Sequence, residues 1–561
     1  MFIKTTKVNG YEYIKLVESY RDEKDVTRHN VLFNFGRSDL IKNNKSFINM
    51  VRRLCEIAEI GINDENAPVF DCSEAELLNY GYLAYLKLWE QLGISNCLNT
   101  IQSKSKIEFS LNETAFLMAM QHLLSPKSKL ATYENQERYY GLEEVDLHHM
   151  YRCLDKLGEA KETIENELFF ENYTKTGQKI DVVFYDVTTF AFESVIVDEL
   201  RNFGYSKACK FNEVQVVMGL LIDSNGLPIG YELFSGNTFD GKTMVKALDN
   251  IKKRFGINRV VIVADRGLNS KGNLNLIKQA GYGYIVASKI RGMTADIKDI
   301  IFDEQGYTAV SDEFKYKIIP YTNTFMDEEK NKYELTENLV VSYSQKRANK
   351  DRADRQRLID KATKLLDKPE YITANNKRGG KKYLKETSKK QATTYDLDQL
   401  AIDKDSKFDG YYGIQTSEKE MTANEIIEAY HTLWKIEESF RVMKSTLEVR
   451  PIFHWKPERI HGHFVVCFLS FMLERKLEMM LNDAEIENSP TKIQEALNSM
   501  QLAKTTLNNE EMYIKAKNIS LANNIFKILK IKLPQNINNK QQILETLRID
   551  KKLSWGQLSL F

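Results

Sequence analysis

Apolar positions along this chain switch between the two-residue period of strands and the three-to-four-residue period of helices. Residues 1–65 alternate polar and apolar positions and predict a β-rich region, whereas residues 66–175 predict helices. Over residues 176–290 the pattern predicts strand, strand, strand, helix, strand, helix, strand. A hairpin is expected over Val214–Phe234, with its turn at Asp223–Gly226. A length of 561 residues also requires several domains.

The second half of the chain carries a different succession of patterns. Residues 291–425 predict a β-rich, basic insertion, with strands in KYKIIPY, ENLVVSYS and FDGYYGIQT around a basic helical stretch from Arg355 to Leu366. Residues 426–480 return to helical spacing, and Phe464–Leu473 is expected to form a buried helix too short to cross a membrane. Residues 481–561 are polar and Asn-rich and predict a helical C-terminal region.

Two aspartates interrupt or end apolar runs. Asp186 lies within IDVVFYDVTTF, and Asp265 ends RVVIVAD. A charged carboxylate in a buried strand is costly unless it is compensated, and a bound divalent cation would compensate it. The exit from a strand is also where open α/β sheets place ligands. For either aspartate alone, a helix cap or a salt-bridge partner is the alternative.

A third carboxylate, Glu437, lies on an amphipathic helix predicted over Tyr430–Leu447. When acids and cations share one stripe of a helix, the cations can bind phosphates while the acid binds a metal ion. A solvated i,i+4 pair is the alternative. The predicted core face is Ile436, Phe440, Met443 and Leu447, and the neighbouring stripe is Tyr430, Leu433, Glu437, Arg441 and Lys444.

These residues resemble the motifs of the bacterial insertion-sequence transposases of the DDE type, in the IS-four-like group. The segment Tyr430–Lys444 is similar to the Tyr-x2-Arg-x3-Glu-x6-Lys signature of that group. DVTTF around Asp186 and ADRGL around Asp265 resemble its first and second acidic blocks. Further likeness, which extends the resemblance over most of the chain, lies in Lys15–Arg37, Gly236–Met244 and Arg450–His463.

The sequence departs from the signature at one position, where Leu433 stands in place of the expected arginine. In the family this arginine is thought to grip DNA phosphate near the cleavage site. Either Lys435, Arg441 or Arg450 substitutes for it, or the grip is weaker. The catalytic acids are unaffected by this departure.

The resemblance implies a fold and a reaction. The implied fold is α/β, a ribonuclease-H-like catalytic core interrupted by a β-rich insertion domain, with helical N- and C-terminal regions. Residues 176–290 and 426–480 would form the core, and residues 66–175 are the candidate DNA-binding region, with a plain helical bundle as the alternative. The implied enzyme is a DNA transposase that binds transposon ends, cleaves the phosphodiester and joins the 3′-hydroxyl to target DNA.

The implied catalytic residues and metal ligands are Asp186, Asp265 and Glu437. Glu438 adjoins Glu437, but only Glu437 has the family spacing. Two Mg²⁺ ions about 3.5–4 Å apart would activate the attacking oxygen and stabilise the leaving one. Hard oxygen ligands suit Mg²⁺, and Mn²⁺ is expected to substitute for it.

Basic residues around and beyond the third carboxylate predict a path for DNA. Cations interleaved with Phe453 and Trp455 are better explained by a passing DNA strand than by surface solubility. The implied partners are the terminal inverted repeats of the transposon and target DNA, bound by a homodimer. The predicted DNA-binding residues are Tyr430, Arg441, Lys444, Arg450, His454, Lys456 and Arg459.

The insertion carries its own nucleic-acid signals. Lys346–Lys390 holds sixteen Lys and Arg against six acids, in a chain whose net charge is only +1. Such a concentration suits phosphate contact, although a solvated face is the alternative. In some members of the family an aromatic residue of the insertion stacks on a flipped base. None of the four tryptophans lies there, so Tyr343, Tyr371, Tyr411 or Tyr412 could stack instead.

Cysteine and histidine usage bears on metal sites and on compartment. Six cysteines without a CxxC pair argue against a zinc site and a disulfide framework, and they fit a reducing compartment. His461 and His463 form HGH with no adjacent acid or cysteine, so a structural or DNA-contacting role is expected. Without a signal core or a long apolar run, the protein is expected in the bacterial cytoplasm, associated with the nucleoid and not with a membrane.

Two other functions share parts of this pattern. A related nuclease or resolvase would have the acids but not the long insertion and the Tyr-to-Lys helix. A domesticated DNA-binding protein would tolerate the loss of an acid, and none is lost here. The sequence therefore favours a transposase.

Overall fold

The structure, a computed structural model, contains two compact units. The first unit comprises residues 1–179, 187–238 and 437–561, and the second comprises residues 180–186 and 239–436. The structure describes the backbone alone at 70–74, 182, 186, 325–326, 388, 394, 434, 446 and 507. The residues that the structure describes are 2–21, 26–42, 44–58, 70–177, 182–192, 195–204, 212–237, 250, 253–255, 260–264, 269–326, 332–366, 372, 379–388, 394–431, 433–447, 452, 454–507 and 510–547.

The first unit begins with the expected β-rich region, a three-stranded antiparallel sheet of β1 (Phe2–Val8), β2 (Tyr11–Arg21) and β3 (Thr27–Arg37). Asn9 and Gly10 join the first two strands with φ values of 51° and 82°, the positive pair that a tight hairpin turn requires. Helices Ser38–Ile41 and Lys45–Ile57 follow. A core cluster of Phe35, Ile41, Met50, Met512 and Ile537 packs this region against the C-terminal part of the same unit.

Helices form most of the described residues from 83 to 174, as the spacing over residues 66–175 predicts, but Phe70–Asn79 form a strand and not a helix. The long helix Pro457–Asp483 is buried through its middle, which confirms the buried helix expected at Phe464–Leu473. Its Gly462 lies against the backbone of a neighbouring helix, since an added Cβ would be 1.9 Å from the Leu154 carbonyl oxygen. The other helices of this region are Leu83–Gln91, Ile94–Ser103, Leu111–Leu124, Lys129–Glu134, Leu147–Glu159 and Lys161–Phe169, with a 3₁₀ turn at Gln136–Arg138 and a π turn at Phe170–Thr174.

The C-terminal region is not simply helical, and that part of the expected fold class is wrong. Strands β16 (Gln501–Leu507), β17 (Glu510–Lys515) and β18 (Ile537–Asn539) alternate with its helices. They form a sheet in the order β18-β17-β16-β4, in which β4 is Phe70–Asn79. Because the partner of β16 lies more than 400 residues earlier in the chain, local spacing did not reveal the pairing. The helices are Pro490–Asn498, Ser520–Ile528 and Lys540–Leu547.

Strand β5 (Val182–Ala191) runs through both units. In the first unit its second half neighbours β6 (Gln215–Ile222), which pairs with β7 (Pro228–Ser235). This is the predicted hairpin. Its turn is held because Asp223 Oδ1 accepts hydrogen bonds from the backbone N–H of Asn225 and of Leu227, and Gly226 adopts a φ of 90°.

The second unit is built on a mixed sheet in the order β10-β11-β12-β15-β9-β8-β5. β5, β8 (Val261–Ala264) and β9 (Gly283–Ala287) are parallel, while the rest of the sheet is antiparallel. The helix predicted before β8 lies mostly outside the described residues, and helix Lys271–Gln279 joins β8 to β9. The remaining strands of this sheet are β10 (Thr308–Ser311), β11 (Phe314–Met326), β12 (Lys332–Ser344) and β15 (Tyr411–Thr416).

The three strands expected in the basic insertion are present as β11, β12 and β15, and the basic helix spans Gln345–Leu366. A buried apolar cluster, which includes Ile301, Leu339 and Phe408, fills one side of this sheet. The further elements of the second unit are helices Ala295–Phe302, Gln399–Ser406 and Ala423–His431, the hairpin β13 (Leu384–Ser388) and β14 (Thr394–Leu397), and 3₁₀ turns at Ile290–Gly292 and Gly379–Tyr383. Within the described part of the chain, no helix is both long and apolar enough to cross a membrane.

Candidate active site

Strands β5 and β8, which the first two predicted acidic blocks overlap or follow in the sequence, are parallel neighbours in the second unit. The register pairs Val182 with Val261 and Phe184 with Val263. Asp186 is two residues beyond Phe184, and β8 ends at Ala264, the residue before Asp265. Asp265 and the side chain of Asp186 lie outside what the structure describes. The described backbone therefore pairs Phe184 and Val263, the residues two positions before each acid, on adjacent strands.

Glu437 lies in the helix Trp434–Arg441 of the predicted third block. Its side chain is exposed, and within the described residues no side chain or backbone group pairs with its carboxylate. The predicted core face of this segment is confirmed, because Ile436, Phe440, Met443 and Leu447 are all buried. A solvent-facing carboxylate on a helix anchored by its opposite face is available to bind a cation.

The single helix expected over Tyr430–Leu447 is interrupted, so the continuous stripe is wrong. Tyr430 belongs to the preceding helix, and the i→i+3 bonds from Leu433 N to Tyr430 O and from Ile436 N to Leu433 O make a tight connection at Leu433. Leu433 is buried at this turn, so an apolar residue at this position fits both a continuous helix and a turn between two helices. The Tyr430 hydroxyl lies 2.7 Å from the Tyr412 hydroxyl. Tyr430 therefore does not share a helix with Glu437.

Glu438, the alternative third acid, is already paired. Arg475 Nη1 lies 3.2 Å from Glu438 Oε2, and Arg441 Nη2 lies 3.1 Å from Glu438 Oε1. Arg475 comes from the long helix Pro457–Asp483 and is almost fully buried. Its guanidinium also contacts Glu478 at 2.7 Å and the Ser439 hydroxyl at 3.3 Å. Glu438 thus anchors the Glu437 helix, which leaves Glu437 as the accessible acid of the two.

Lys444 connects the Glu437 segment to strand β5. A π-helical turn spans Val442–Thr446 and closes with the bond from Leu447 N to Val442 O at 2.9 Å. From this turn the Lys444 ammonium donates a hydrogen bond to the Thr188 hydroxyl and lies 5.5 Å from the centre of the Phe190 ring. Thr188 is two residues beyond Asp186, about 7 Å along an extended strand. The third predicted block therefore touches the first within the first unit.

The predicted DNA-contacting residues differ in how the structure places them. Arg441 and Lys456 are exposed, and Arg450 lies outside the described residues. Arg459 makes two hydrogen bonds, at 2.9 and 3.3 Å, to the Asp155 carboxylate, which neutralises much of its charge. His454 is buried against the Tyr151 and His463 rings, and burial lowers its pKa to about 4. Burial and a lowered pKa suit phosphate binding poorly, so this environment does not favour the DNA-binding prediction for His454, which stays a prediction.

Comparison with protein families settles what kind of protein carries these residues. Residues 177–473, more than half of the chain, match the model of the transposase DDE domain. The chain belongs to the DDE transposase family. Residues 3–64 match the N-terminal domain of the IS1634 family of transposases, which places the transposase among those of insertion sequences. Family membership implies divalent metal ions as cofactors and DNA as substrate.

Two solved structures similar to the transposase are themselves transposase complexes. A piggyBac transposase synaptic complex with hairpin DNA is 10% identical over 76% of this chain and 82% of that chain, with a TM-score of 0.34. The Mos1 transposase paired-end complex is 13% identical over 32% of this chain and 60% of that chain, with a TM-score of 0.14. Likenesses this low carry no argument about the transposase. No curated protein matches the chain.

Sequence reasoning missed the groups that support the Glu437 helix from behind. Glu474 accepts a hydrogen bond from the Tyr85 hydroxyl at 2.7 Å, and burial, together with the neighbouring Glu478, raises its pKa to about 8. Arg475 and Glu478 lie beside it on the same helix. In the sequence, these groups appeared only as charged residues within the apolar helical run LSFMLERKLEMML. Such residues usually lie on the solvent-exposed face of a helix. Here Arg475 pairs with Glu438 and Glu478, while Glu474 bonds Tyr85.

The insertion presents cations along one helix and aromatic rings beside it. The helix Gln345–Leu366 exposes six Lys and Arg side chains over a length of about 33 Å. Tyr411 lines a cleft of about 410 Å³ together with Lys289, Arg291, Arg347 and Phe408. The Arg347 guanidinium lies 4.3 Å from the centre of the Tyr412 ring. Tyr371 lies outside the described residues.

Proposed function

We propose that the protein is an IS-four-like DDE transposase whose catalytic acids are Asp186, Asp265 and Glu437. The observation that carries the assignment is the contact between Lys444 and Thr188, which joins the Glu437 segment to the strand that holds Asp186. The register of β5 and β8 supports the pairing of the first two acids. In this proposal the core is ribonuclease-H-like, formed by residues 176–290 and 426–480 and interrupted by the insertion 291–425.

The donor set fits a hard divalent cation. Three carboxylates supply only oxygen ligands, which suit Mg²⁺ or Mn²⁺ better than softer metals. The exposed Glu437 carboxylate, which no described residue pairs, is free to bind such an ion. When bound, a pair of Mg²⁺ ions would supply Lewis-acid activation of the attacking oxygen and stabilisation of the leaving one.

The protein's own residues have separate tasks in this proposal. Asp186, Asp265 and Glu437 orient the metal ions, while Arg475 fixes the Glu437 helix by holding Glu438. Lys444 lies between the Glu437 helix and β5, where its ammonium can attract a phosphate of the DNA end. Leu433 is buried at that turn, so the position does not face solvent or DNA phosphate. Arg441, exposed on the Glu437 helix, is the best-placed described substitute for the family's phosphate-gripping arginine.

The insertion would bind DNA beyond the cleavage point. The exposed cations of helix Gln345–Leu366 suit the regular spacing of phosphates along a duplex. Tyr411 is the best candidate for stacking on an unpaired base, because it lines a cleft whose other walls carry cations. Tyr412 is less suited, since its hydroxyl bonds Tyr430 and its ring carries Arg347.

The assembly would contain two copies of the transposase on a pair of terminal inverted repeats, acting on chromosomal DNA in the bacterial nucleoid. Residues 66–175 are the proposed DNA-binding region, residues 1–65 the N-terminal β-rich region and residues 481–561 the C-terminal region. Size measurement of the protein with and without DNA ends would test the dimer. A single copy on paired ends would contradict it.

The proposed function is tested with DNA that carries the flanking ends of the encoding element. Wild-type protein should cleave this DNA with Mg²⁺ and, with more target DNA, join the 3′-hydroxyl to it. Asp186→Ala and Asp265→Ala should each lose cleavage yet still bind the ends. Cleavage that survives either change would contradict the assignment of the acids.

A further inference from the structure

A second cluster of metal-ligating side chains is buried in the helical part of the first unit, apart from the carboxylates. It contains His122 from helix Leu111–Leu124 and His463 and Cys467 from helix Pro457–Asp483. All three are buried, and one ligand atom of each lies within 4.8 Å of the others. Lys129 adjoins them, also buried, with its Nζ 3.2 Å from His122 Nε2. Nothing in the proposed reaction uses these residues.

Two separations within this cluster match the edges of a tetrahedral ion site. His463 and Cys467 are one helical turn apart, and Cys467 Sγ lies 3.6 Å from His463 Nε2. With Zn–S near 2.3 Å and Zn–N near 2.0–2.1 Å, the N–S edge of a tetrahedral zinc site is about 3.6 Å and the N–N edge about 3.3 Å. The Lys129–His122 separation of 3.2 Å fits that second edge. Small side-chain shifts would bring the two pairs onto one ion.

The tautomer of His122 is already the one that a metal ligand needs. Its Nδ1 lies 3.0 Å from the Leu447 carbonyl oxygen, which accepts but never donates, so Nδ1 carries the proton. Nε2 then presents its lone pair to the cluster. A backbone carbonyl that fixes the outer nitrogen of a ligating histidine is the usual support of protein zinc sites.

The other components of the cluster are also chemically suited to a soft or borderline ion. One thiol and two imidazoles form an N/S set, the kind that selects zinc, and no carboxylate belongs to this group of ligands. Lys129 Nζ lies 3.2 Å from His122 Nε2, and after it loses one proton its amine offers a lone pair of its own. On binding zinc, Cys467 would release its thiol proton and Lys129 one ammonium proton, both to solvent.

We propose that His122, His463 and Cys467, with the Lys129 amine at the fourth corner, form a structural zinc site. The ion ties the helix Leu111–Leu124 to the helix Pro457–Asp483. Through the His122 bond to Leu447 it also fixes the end of the segment that carries Glu437 and Lys444. The site has no open position, since all four corners come from the protein.

The test is the zinc content of full-length protein, purified without a metal-affinity step and dialysed against Mg²⁺ buffer. Wild type should retain one zinc ion per chain, and so should Glu437→Ala, because the carboxylates are not its ligands. Cys467→Ser should lose zinc affinity by more than the about 10–100-fold that loss of an outer-shell partner costs. Cys97→Ser, the same change at another buried cysteine, is the matched control and should keep the ion.

Two further measurements on the wild-type protein test the site even if Cys467→Ser does not fold. A zinc-selective chelator should lower the melting temperature of wild type, and added zinc should restore it. Cobalt(II) in place of zinc should show a thiolate charge-transfer band in wild type. Wild type that takes up no zinc, or zinc that Glu437→Ala loses and Cys467→Ser keeps, would overturn the site, whatever the outcome of the DNA-cleavage assay.

Discussion

Arg475 Nη1 lies 3.2 Å from Glu438 Oε2 and 2.7 Å from Glu478 Oε2, so one buried guanidinium joins the Glu437 helix to the long helix behind it. Adjacent glutamates thereby take different roles. Glu438 is a structural anchor, and Glu437 faces solvent. The orientation of the proposed catalytic acid depends on a residue 38 positions further along the chain.

The Arg475→Met variant should be strongly destabilised. Removing one partner of a buried ion pair leaves the other buried and unpaired, which costs about 3–5 kcal/mol. Urea unfolding would measure the loss in free energy of unfolding. Arg441→Met is the matched control, because Arg441 is exposed and its pairing with Glu438 should contribute less than about 1 kcal/mol. Equal effects at the two positions would contradict the anchor.

Lys444→Ala should weaken binding to the transposon ends and change its salt dependence. If Lys444 contacts one phosphate, the slope of log K against log salt should fall in magnitude by about 0.9. Binding measured at several salt concentrations gives the slope. Lys175→Ala, which removes an exposed lysine paired with Glu171, should leave it unchanged. An unaltered slope in Lys444→Ala would remove this residue from the DNA surface.

Stability should fall as pH rises because of Glu474. Its pKa in the folded protein is raised to about 8 by burial, whereas an unfolded glutamate titrates near 4.5. Between these values the folded state holds a proton that the unfolded state has lost, so the free energy of unfolding declines with increasing pH. The decline is at most about 1.4 kcal/mol per pH unit.

The Glu474→Gln variant should remove that decline, since an amide does not titrate and its oxygen still accepts from Tyr85. Urea unfolding at pH 6, 7 and 8 should therefore show a flatter profile than wild type. Glu495→Gln, a change at an exposed glutamate of the same unit, should keep the wild-type profile. A profile that stays steep in Glu474→Gln would place the titration elsewhere.

Gly462→Ala should destabilise the helical region of the first unit. The added Cβ would meet the Leu154 carbonyl oxygen at 1.9 Å, and a backbone atom cannot move aside as a flexible side chain does. Overpacking of this kind costs about 1–3 kcal/mol. Gly272→Ala is the control, because a Cβ there meets nothing within 4 Å and should be neutral or stabilising. Thermal unfolding of the two variants would separate these outcomes.

Local patterns were sufficient for much of the fold. The β6–β7 hairpin, the strands β11, β12 and β15, and the buried part of helix Pro457–Asp483 were predicted because each follows a short-range rule of spacing or turn chemistry. Asp186 and Asp265 were predicted as site residues because each places a charge within or at the end of an apolar run, and they stay predictions. The core face of the Glu437 helix was recognisable from its repeat.

What the sequence did not reveal depends on partners distant in the chain. Strand β16 pairs with β4, but the pattern of residues in either strand does not identify the other as its partner. The break at Leu433 left the apolar repeat intact, since a buried leucine suits a turn as well as a helix. His463 and Cys467 are one turn apart on a helix, yet their neighbour His122 lies more than 300 residues earlier. Periodicity shows which face of a helix or strand is buried, but not which other element that face packs against.

The measurement that tests the account most directly is Mg²⁺-dependent cleavage of the element's ends by Glu437→Gln and Glu438→Gln side by side. Both variants keep the size of the side chain and remove one charge. We expect Glu437→Gln to bind the ends, unfold like wild type and cleave nothing, and Glu438→Gln to cleave but unfold more easily. Cleavage by Glu437→Gln, or its loss only in Glu438→Gln, would contradict the assignment of the third catalytic acid.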